Sequence, residues 1–248
     1  MLDVIGVIPA RYASSRFPGK PLVKICGKPM IIWVAEAAAA ALGKSNVVVA
    51  TDDERILKTA EGYGYRAMIT SSACLTGTDR VYEVAKEIDA GVYINIQGDE
   101  PLINPQSILD VYDLKRKNHS MVVNCMSRVR SHENPASLNM IKVVTNKDNR
   151  LIYMSRNLIP ATKSREGFGD YYKQVCIYGF NREQLMAFGS SGRKTRLEAI
   201  EDIEILRFFD LGYHIYMLEV ETESHGVDEQ GDVAVIEKIL MEKGYKPE

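Results

Sequence analysis

The sequence predicts an α/β protein whose first half is a parallel β-sheet. Short apolar, β-branched runs such as 4–8 and 46–51 each lie before a helical segment, which is the pattern of buried strands in a parallel sheet. Strands and helices also alternate at a spacing that favours right-handed β–α–β crossovers. We therefore expect an open sheet with ligand-binding loops at the carboxyl ends of its strands.

The first half contains four predicted strand–helix pairs. Pro29 lies near the first turn of the first helix and Gly43 follows its last residue, as is typical of helix ends. In chain order, the predicted strands are 4–8, 46–51, 65–70 and 92–96, and the predicted helices are 29–42, 52–63, 79–88 and 107–118.

After about residue 120 the strict alternation ends. Strand-like segments follow one another without helices of normal length between them, which favours a mixed sheet laid onto or beside the first half. The predicted strands there are 121–129, 140–145, 151–155, 174–181 and 214–220, and the predicted helices are 196–212 and 230–244. Because no repeat, low-complexity segment or long linker interrupts the chain, we predict a single domain over residues 1–248.

Composition excludes several classes of protein. The net charge of −2 and pI of about 6.2 do not suggest a nucleic-acid surface. No apolar run approaches the ~18 residues needed to cross a bilayer, and the N-terminus lacks the pattern of a signal peptide. The four cysteines are scattered without a C-x-x-C pair, which fits reduced thiols and argues against a zinc site. We expect a cytoplasmic protein without a membrane or nucleic-acid partner.

The loop after the first strand is the strongest candidate for ligand binding. It carries three cations within ten residues, Arg11, Arg16 and Lys20. Prolines from Pro9 onward stiffen it, and small residues such as Ala10 let backbone N–H groups approach a ligand. Several fixed cations on a stiff loop suit a polyphosphate, although a solvated basic loop is the alternative. A Walker A loop and a dinucleotide fingerprint are both absent, so an NAD-type oxidoreductase is disfavoured.

Two aspartates are candidates for a magnesium site. Asp99 directly follows a predicted strand, in the turn 98–101, and Asp228 follows the strand that ends near Val220. Mg²⁺ is usually held by one or two carboxylates together with substrate phosphates, and it offsets phosphate charge. Taken singly, each aspartate also fits a turn or a helix cap. Together with the cationic loop, they favour the metal site.

Two more loops end strands at the same predicted edge. Thr51 and Asp52 lie in one of them, where a carboxylate either caps the following helix or contacts a ligand. The other loop, 76–80, offers hydroxyls and N–H groups near a helix N-terminus, which suits a base or ribose. On the predicted helix 196–212, Glu198, Glu201 and Glu204 recur every three residues, a spacing more often found on a solvated helix face. No Ser/His/Asp or Cys/His nucleophile system is evident.

With these motifs assembled, the chain closely resembles the CMP-Kdo synthetases, the 3-deoxy-manno-octulosonate cytidylyltransferases. The resemblance extends over essentially the whole chain and rests on long motifs in the family order. These motifs are 8–22 (IPARYASSRFPGKPL), 50–52 (ATD), 77–80 (GTDR), 97–101 (QGDEP), 142–144 (KVV), 155–156 (SR), 159–160 (IP), 177–179 (IYG) and 226–228 (GVD).

The resemblance implies a nucleotide-diphospho-sugar transferase fold: a Rossmann-like three-layer sandwich with a mixed sheet and a smaller dimerisation sheet. It implies a Mg²⁺-dependent homodimer that joins CMP from CTP to a small anionic acceptor and releases pyrophosphate. Residues 1–120 would form the nucleotide-binding half, and residues 121–248 the half for acceptor binding and dimerisation. The dimer contact is expected within about 120–180.

Site residues follow from the same resemblance, position by position. The expected catalytic residues are Arg11, Lys20 and Asp99, and the expected metal ligands are Asp99 and Asp228. The expected nucleotide-binding residues are Pro9, Ala10, Arg11, Arg16, Lys20, Thr51, Asp52, Thr76, Gly77, Thr78 and Gln97. The expected acceptor-binding residues are Gln97, Arg156, Gln174, Tyr178, Glu201 and Glu204, with Arg156 holding the acceptor's carboxylate.

Departures from the family pattern concentrate on the acceptor side. Gln174 replaces a histidine, Phe180 replaces a tyrosine and Ile205 replaces a glutamine. The family's H-x-S-G-T-E-R appears as 74–80 (CLTGTDR). Such changes alter which acceptor hydroxyls can be satisfied, so the acceptor is either Kdo or a variant: an amino or deoxy form, another ulosonic acid or a phosphonate. A non-catalytic nucleotide-binding paralogue is the further alternative. Retention of the expected catalytic residues and metal ligands argues against it.

Overall fold

The computed structural model describes residues 2–13, 17–161, 163, 170–221, 226–227 and 229–245. Within these ranges, the strands are β1 (Leu2–Ala10), β2 (Lys24–Ile25), β3 (Lys28–Pro29), β4 (Val47–Thr51), β5 (Arg66–Ile69), β6 (Ala90–Ile96), β7 (Val122–Arg128), β8 (Lys142–Thr145), β9 (Leu151–Ser155), β10 (Tyr172–Phe180) and β11 (Ile215–Glu219). The helices are α1 (Met30–Leu42), α2 (Glu54–Gly62), α3 (Gly77–Glu87), α4 (Pro105–Lys117), α5 (Arg182–Gly189), α6 (Arg196–Glu201), α7 (Leu206–Asp210) and α8 (Gln230–Glu242).

Nine of the described strands form one mixed sheet. Its main order is β11-β7-β10-β6-β1-β4-β5, and β8 and β9 branch from β10. The four strands of the first half, β6, β1, β4 and β5, are parallel, which confirms the parallel sheet predicted from the sequence. The second half continues this sheet rather than forming a separate one, because β10 pairs antiparallel with both β6 and β7.

Two hydrophobic clusters cover the two faces of the sheet. Residues of β1 alternate between them: Val4 and Ile8 pack on one face with α1, α2 and α4, while Ile5 and Val7 pack on the other with α3, α5 and α7. This alternation follows from the two-residue period of a strand. The result is the three-layer arrangement predicted above. Within the described ranges, no helix is long and apolar enough to cross a membrane.

A third, smaller cluster joins the end of the chain to its beginning. Helix α8 packs Ile236 and Leu240 against Ile25, beside the hairpin of β2 and β3, and Val227 is buried in the same cluster. The Trp33 indole donates to the Ile25 carbonyl at 3.0 Å. The segment at 226–227 is therefore held close to the loop that follows β1.

The prediction of one continuous helix over 196–212 is wrong. The chain interrupts it at Asp202, which adopts a left-handed conformation with φ of 51°, and resumes as α7 at Leu206. The interruption lets neighbouring carboxylates point to different partners, as described below. Helix α5 was missed, although its capping box of Asn181 and Gln184 is a signal that sequence can carry.

Candidate active site

A cavity of about 550 Å³ opens at the carboxyl ends of β1 and β6, the edge where ligands bind in open α/β sheets. Two groups of residues line it, one from each half of the chain. We call the first group the strand-end wall: Pro9, Ala10, Arg11, Lys20, Pro21, Cys74, Leu75, Thr76, Gly77, Arg80, Gln97, Gly98 and Asp99. The second group, the opposite wall, comprises Asn139, Arg156 and Asp202.

The strand-end wall depends on close approach between backbone segments. A Cβ added to Gly98 would lie 2.8 Å from the Pro9 carbonyl oxygen, closer than real side chains approach. A Cβ on Gly77 would lie 2.8 Å from Nε2 of Gln97. The loops after β1 and β6 and the start of α3 can converge only because these positions lack a side chain.

Lys20 links the loop after β1 to Asp99 of the strand-end wall and to the backbone at Val227. Its ammonium donates to Oδ2 of Asp99 at 2.8 Å and to the Val227 carbonyl at 2.7 Å. Arg11 is exposed and also lines the cavity. Arg11, Lys20 and Asp99, expected as catalytic residues, thus lie around one cavity, whereas Arg16 and Asp228 lie outside the described residues.

The donor set around Asp99 fits a divalent cation with oxygen ligands. Asp99 is 39% exposed at its side chain, and within the described ranges only Lys20 donates to its carboxylate. The Val227 N–H donates to the Asp99 carbonyl at 2.9 Å, so the residue that precedes Asp228 in the chain is tied to Asp99. Among all the described residues, no group of three or more His, Cys, Asp or Glu side chains could hold a metal ion by itself. Ligands from a bound phosphate would have to complete the metal site.

Buried charges support the loop that carries Thr76. The Thr76 N–H and hydroxyl both donate to Asp79 in a capping box. Asp79 in turn accepts from Arg207 at 2.8 Å, and the fully buried Arg207 donates to both carboxylate oxygens of Glu198 at 2.7 Å. Glu198 is 0% exposed, and Glu201 and Glu204 are half-buried. The interpretation of these three glutamates as a solvated helix face is therefore wrong.

Thr51 and Asp52 support the strand-end wall from behind. Thr51 is fully buried and its hydroxyl accepts from the Asp53 N–H, while Asp53 rather than Asp52 caps α2. Asp52 accepts from Arg80 at 2.7 Å, and Arg80 lines the cavity. Their contact with a ligand, expected from the resemblance, is therefore not direct in this arrangement.

Glu204 joins the two halves of the chain beneath the cavity. Its carboxylate accepts from the Thr78 N–H at 2.9 Å and from Nε2 of Gln97 at 2.8 Å. Thr78 is 1% exposed and lies behind the wall, whereas Gln97 lines it. Burial raises the pKa of Glu204 above its ordinary value, and the nearby Asp79 carboxylate adds to the increase.

Arg156 and Glu201 form the inner part of the opposite wall. Glu201 accepts from the Ser155 hydroxyl at 2.7 Å and from the Arg156 N–H at 2.9 Å. The Arg156 guanidinium donates to the carbonyls of Glu201, Leu138 and Asp202 at 2.7–3.2 Å. Since a guanidinium carries five N–H groups, two of them have no partner among the described residues. Arg156 is thus positioned to bind an anion, while the Glu201 carboxylate is used within the protein.

Cys74 and Thr76, which depart from the family pattern, line the cavity, whereas Gln174, Phe180 and Ile205 do not. Phe180 stacks on Phe208 with ring centroids 4.9 Å apart, and Ile205 is 1% exposed in the core. Both replacements therefore change core packing rather than the surface that an acceptor would meet. Gln174 donates to Asn124 at 2.8 Å and reaches the hydroxyl of buried Tyr178. Of Gln174, Phe180 and Ile205, only Gln174 takes part in a side-chain polar contact.

The thiol that lines the cavity is not activated. Burial and the Glu83 carboxylate raise the pKa of Cys74 to about 11. A thiol with that pKa stays protonated at neutral pH and is a poor nucleophile. This agrees with the absence of a nucleophile system in the sequence.

Sequence reasoning missed Asn139 and Asp202 as cavity residues. Asn139 lies in a loop and Asp202 at the helix interruption, so neither belongs to a pattern that sequence alone reveals. Lys194, eight residues earlier, binds the Asp202 carboxylate, and Arg156, 46 residues earlier, binds its carbonyl. Lys194, Arg156 and Arg11 all lower the pKa of Asp202.

The fold and the site define a nucleotide-handling transferase of the α/β class. A family model for cytidylyltransferases matches residues 5–217. The chain therefore belongs to the cytidylyltransferase family.

Full-length relatives narrow this assignment. The chain is 38% identical to the 3-deoxy-manno-octulosonate cytidylyltransferase of Acidobacterium capsulatum, with 98% of each chain covered. It is 40% identical to the enzyme of that name from Geobacter sulfurreducens, over 96% of this chain and 98% of the relative. Within the family, the chain thus belongs with the 3-deoxy-manno-octulosonate cytidylyltransferases.

A solved structure agrees with this assignment. CMP:2-keto-3-deoxy-manno-octonic acid synthetase, determined in complex with CTP, matches with a TM-score of 0.89 and 35% identity. The match covers 97% of this chain and 99% of the other. The two share one fold from end to end.

Proposed function

We propose that this enzyme transfers CMP from CTP to 3-deoxy-manno-octulosonate (Kdo), with release of pyrophosphate. The observation that carries the proposal is the cavity lined by several cations and by the Asp99 carboxylate. Lys20 is paired with Asp99, and Arg11 and Arg156 also line the cavity. Such a cavity suits a triphosphate opposite a small anionic acceptor. The named relatives support this choice of substrates.

On the strand-end wall, we assign triphosphate binding to Arg11, Lys20 and the backbone of 9–11. Gln97 and Thr76 would contact the nucleoside, since both line the cavity. The acceptor's hydroxyl would attack the α-phosphorus in line with the departing pyrophosphate. Positioning of the two substrates and stabilisation of developing charge are then the main catalytic contributions, and no covalent enzyme intermediate is needed.

On the opposite wall, we assign the acceptor's carboxylate to the remaining N–H groups of Arg156. A guanidinium can hold a carboxylate through two parallel hydrogen bonds. Glu204, Tyr178 and Gln174 would act from behind the cavity by orienting polar groups such as the Gln97 amide. The Glu201 carboxylate fixes the backbone of Arg156 rather than contacting the acceptor.

We propose Mg²⁺ as the metal and Asp99 and Asp228 as its protein ligands. Bound there, the ion would offset the negative charge of the triphosphate. Asp99 contributes a partly exposed carboxylate at the cavity edge. Lys20 already neutralises part of the Asp99 charge and holds the Asp99 carboxylate in place through their hydrogen bond.

The same function would be carried out by a single-domain, cytoplasmic homodimer. We propose a homodimer with its contact near the β8–β9 branch, where Leu138 is 61% and Ile152 is 53% exposed. The single sheet with strands from both halves supports one domain over 1–248. A cytoplasmic location is supported by the four free cysteines, since cytosolic thiols stay reduced.

The test is pyrophosphate release from CTP and Mg²⁺, with Kdo as the acceptor beside other sugar acids and small phosphonates. We expect turnover with Kdo, and we expect Asp99→Asn to lower kcat about 10³-fold, in the range seen when a key charge-stabilising group is removed. Asp53→Asn, which alters a helix cap outside the cavity, is the control and should keep its activity. Unchanged turnover in Asp99→Asn would contradict the metal assignment.

Acceptor identity is tested by the same panel. Phe180 and Ile205 lie in the core. A different acceptor would therefore depend on Gln174, behind the cavity, or on Cys74 and Thr76, which line it. Turnover with another acceptor and none with Kdo would overturn the proposed substrate. Absence of turnover with every acceptor, with CTP still bound, would favour the non-catalytic paralogue.

A further inference from the structure

Lys142 is a fully buried lysine at the start of β8 that the proposed reaction does not use. It is 0% exposed. Its ammonium donates to the carbonyls of Ser137 and Met140 at 2.8 and 2.7 Å and to the carbonyl of Arg156. An ammonium carries three donors, so all three are used on backbone oxygens. Burial of this charge, together with the Arg156 cation nearby, lowers the pKa of Lys142.

The three carbonyls belong to two segments that form the opposite wall. The loop 137–140 contains Asn139, and the other segment contains Arg156; both residues line the cavity. Arg156 closes a ring of contacts, because its Nη1 donates to the Leu138 carbonyl at 3.2 Å. Lys142 and Arg156 thus hold the same loop from two sides. A shift of this loop would move Asn139 and the Arg156 guanidinium together.

We infer that Lys142 is a positioning residue for the acceptor: it fixes the loop 137–140 and the backbone of Arg156 so that the opposite wall binds the acceptor's anionic group. It does not itself line the cavity. The inference rests on the proposed function, in which the opposite wall receives the acceptor. A small displacement of substrate-binding groups can cost orders of magnitude in rate or affinity.

The chain offers a matched control in Lys115. It is also 0% exposed and donates three hydrogen bonds, to the carbonyls of His119 and Met121 and to the Gln184 side chain. It lies near the end of α4, beside Gly179, and does not line the cavity. Replacing it removes a buried lysine of the same kind without touching the opposite wall.

The experiment compares Lys142→Met with Lys115→Met. For Lys142→Met we expect the acceptor's KM to rise about tenfold or more, as for loosened supporting residues elsewhere, with the KM for CTP within about twofold of wild type. For Lys115→Met we expect both KM values to stay within that range, even where thermal stability falls equally. Equal changes in the two variants, or an unchanged acceptor KM in Lys142→Met, would overturn the inference.

A second measurement does not depend on turnover. Amide hydrogen exchange in the absence of substrate should speed up about tenfold over 137–141 and 155–157 in Lys142→Met and stay unchanged there in Lys115→Met, since local contacts set local opening. Unchanged exchange in Lys142→Met would overturn the inference even if no acceptor is turned over. Where Lys142→Met does not fold, Lys142→Gln replaces it, since glutamine keeps two N–H donors. This variant should show a smaller rise in the acceptor's KM and a smaller increase in the exchange rate.

Failure of the inference can be distinguished from failure of the proposed function. If wild type turns over Kdo while Lys142→Met keeps its acceptor KM, only the positioning role fails. If wild type turns over no acceptor, the proposed function fails, and the exchange data still decide whether Lys142 fixes the wall.

Discussion

The strand-end wall is shaped by backbone lying against backbone, whereas the opposite wall is shaped by charged side chains that bind carbonyl oxygens. At Gly98 the missing side chain lets the loops after β1 and β6 touch. Arg156, by contrast, joins segments with no regular backbone pairing between them. Lys142 ties the irregular loop 137–140 to the end of the paired strands β8 and β9. The difference shows two ways to fix a site: strands aim loops directly, while irregular segments need buried polar anchors.

The largest effect should come from a buried charge that joins the two halves. Arg207→Met leaves Asp79 and Glu198 without their cation, and we expect the free energy of unfolding to fall by about 3–5 kcal/mol, as when one partner of a buried ion pair is removed. Urea denaturation measures this.

The control for Arg207 is a surface ion pair. Arg182 pairs with Asp89 and is 44% exposed, so Arg182→Met should cost less than about 1 kcal/mol. Similar losses in the two variants would contradict the claim that buried charges stabilise this part of the molecule.

A smaller loss should follow from a methyl group on the strand-end wall. In Gly98→Ala the new Cβ would meet the Pro9 carbonyl at 2.8 Å, and backbone that must shift typically costs about 1–3 kcal/mol. The KM for CTP should rise as well. Gly62→Ala is the matched control, because nothing lies within 4 Å of its Cβ; it should be neutral or slightly stabilising. Thermal melts and CTP titrations of both variants check this, and a Gly98→Ala protein as stable as Gly62→Ala would contradict the backbone-contact explanation.

The smallest effect concerns pH. Burial raises the pKa of Glu204 above 4.5 in the folded protein, so the native state holds this proton more tightly than the unfolded chain. The resulting stability is present below pH 4.5 and is lost as the pH rises through the raised pKa. Glu204→Gln removes the titrating carboxyl group and therefore this loss of stability with rising pH.

The measurement is urea denaturation of wild type and Glu204→Gln at a series of pH values that starts below pH 4.5 and passes through the raised pKa of Glu204. The free energy of unfolding of the variant, relative to wild type, should increase with pH, by at most about 1.4 kcal/mol per pH unit for one group. Parallel curves for the two proteins would show that Glu204 does not titrate differently on folding.

Much of the strand-end wall could be predicted from sequence, whereas on the opposite wall only Arg156 was expected, through the family resemblance. Arg11, Lys20 and Asp99 each directly follow a strand or lie in the loop after it, so chain order alone brings them to one edge. The Asp202 carbonyl accepts from Arg156, 46 residues earlier, and the loop that carries Asn139 is bound by Lys142 and Arg156. Beside the helix break at Asp202, Glu204 accepts from Thr78, 126 residues earlier. Local propensity carries no record of such partners.

Strand β10 also has a consequence for how the protein is made. In the described sheet, β6 has β1 on one side and β10 on the other, although α4 and the loops of the strand-end wall are complete by residue 117. A ribosome must therefore add the chain up to 172–180 before this edge can pair. Until then, the growing chain exposes an open β-edge of mostly apolar residues, the kind of surface that draws chains into aggregates. Completion of β10 is the step in biosynthesis that removes this hazard.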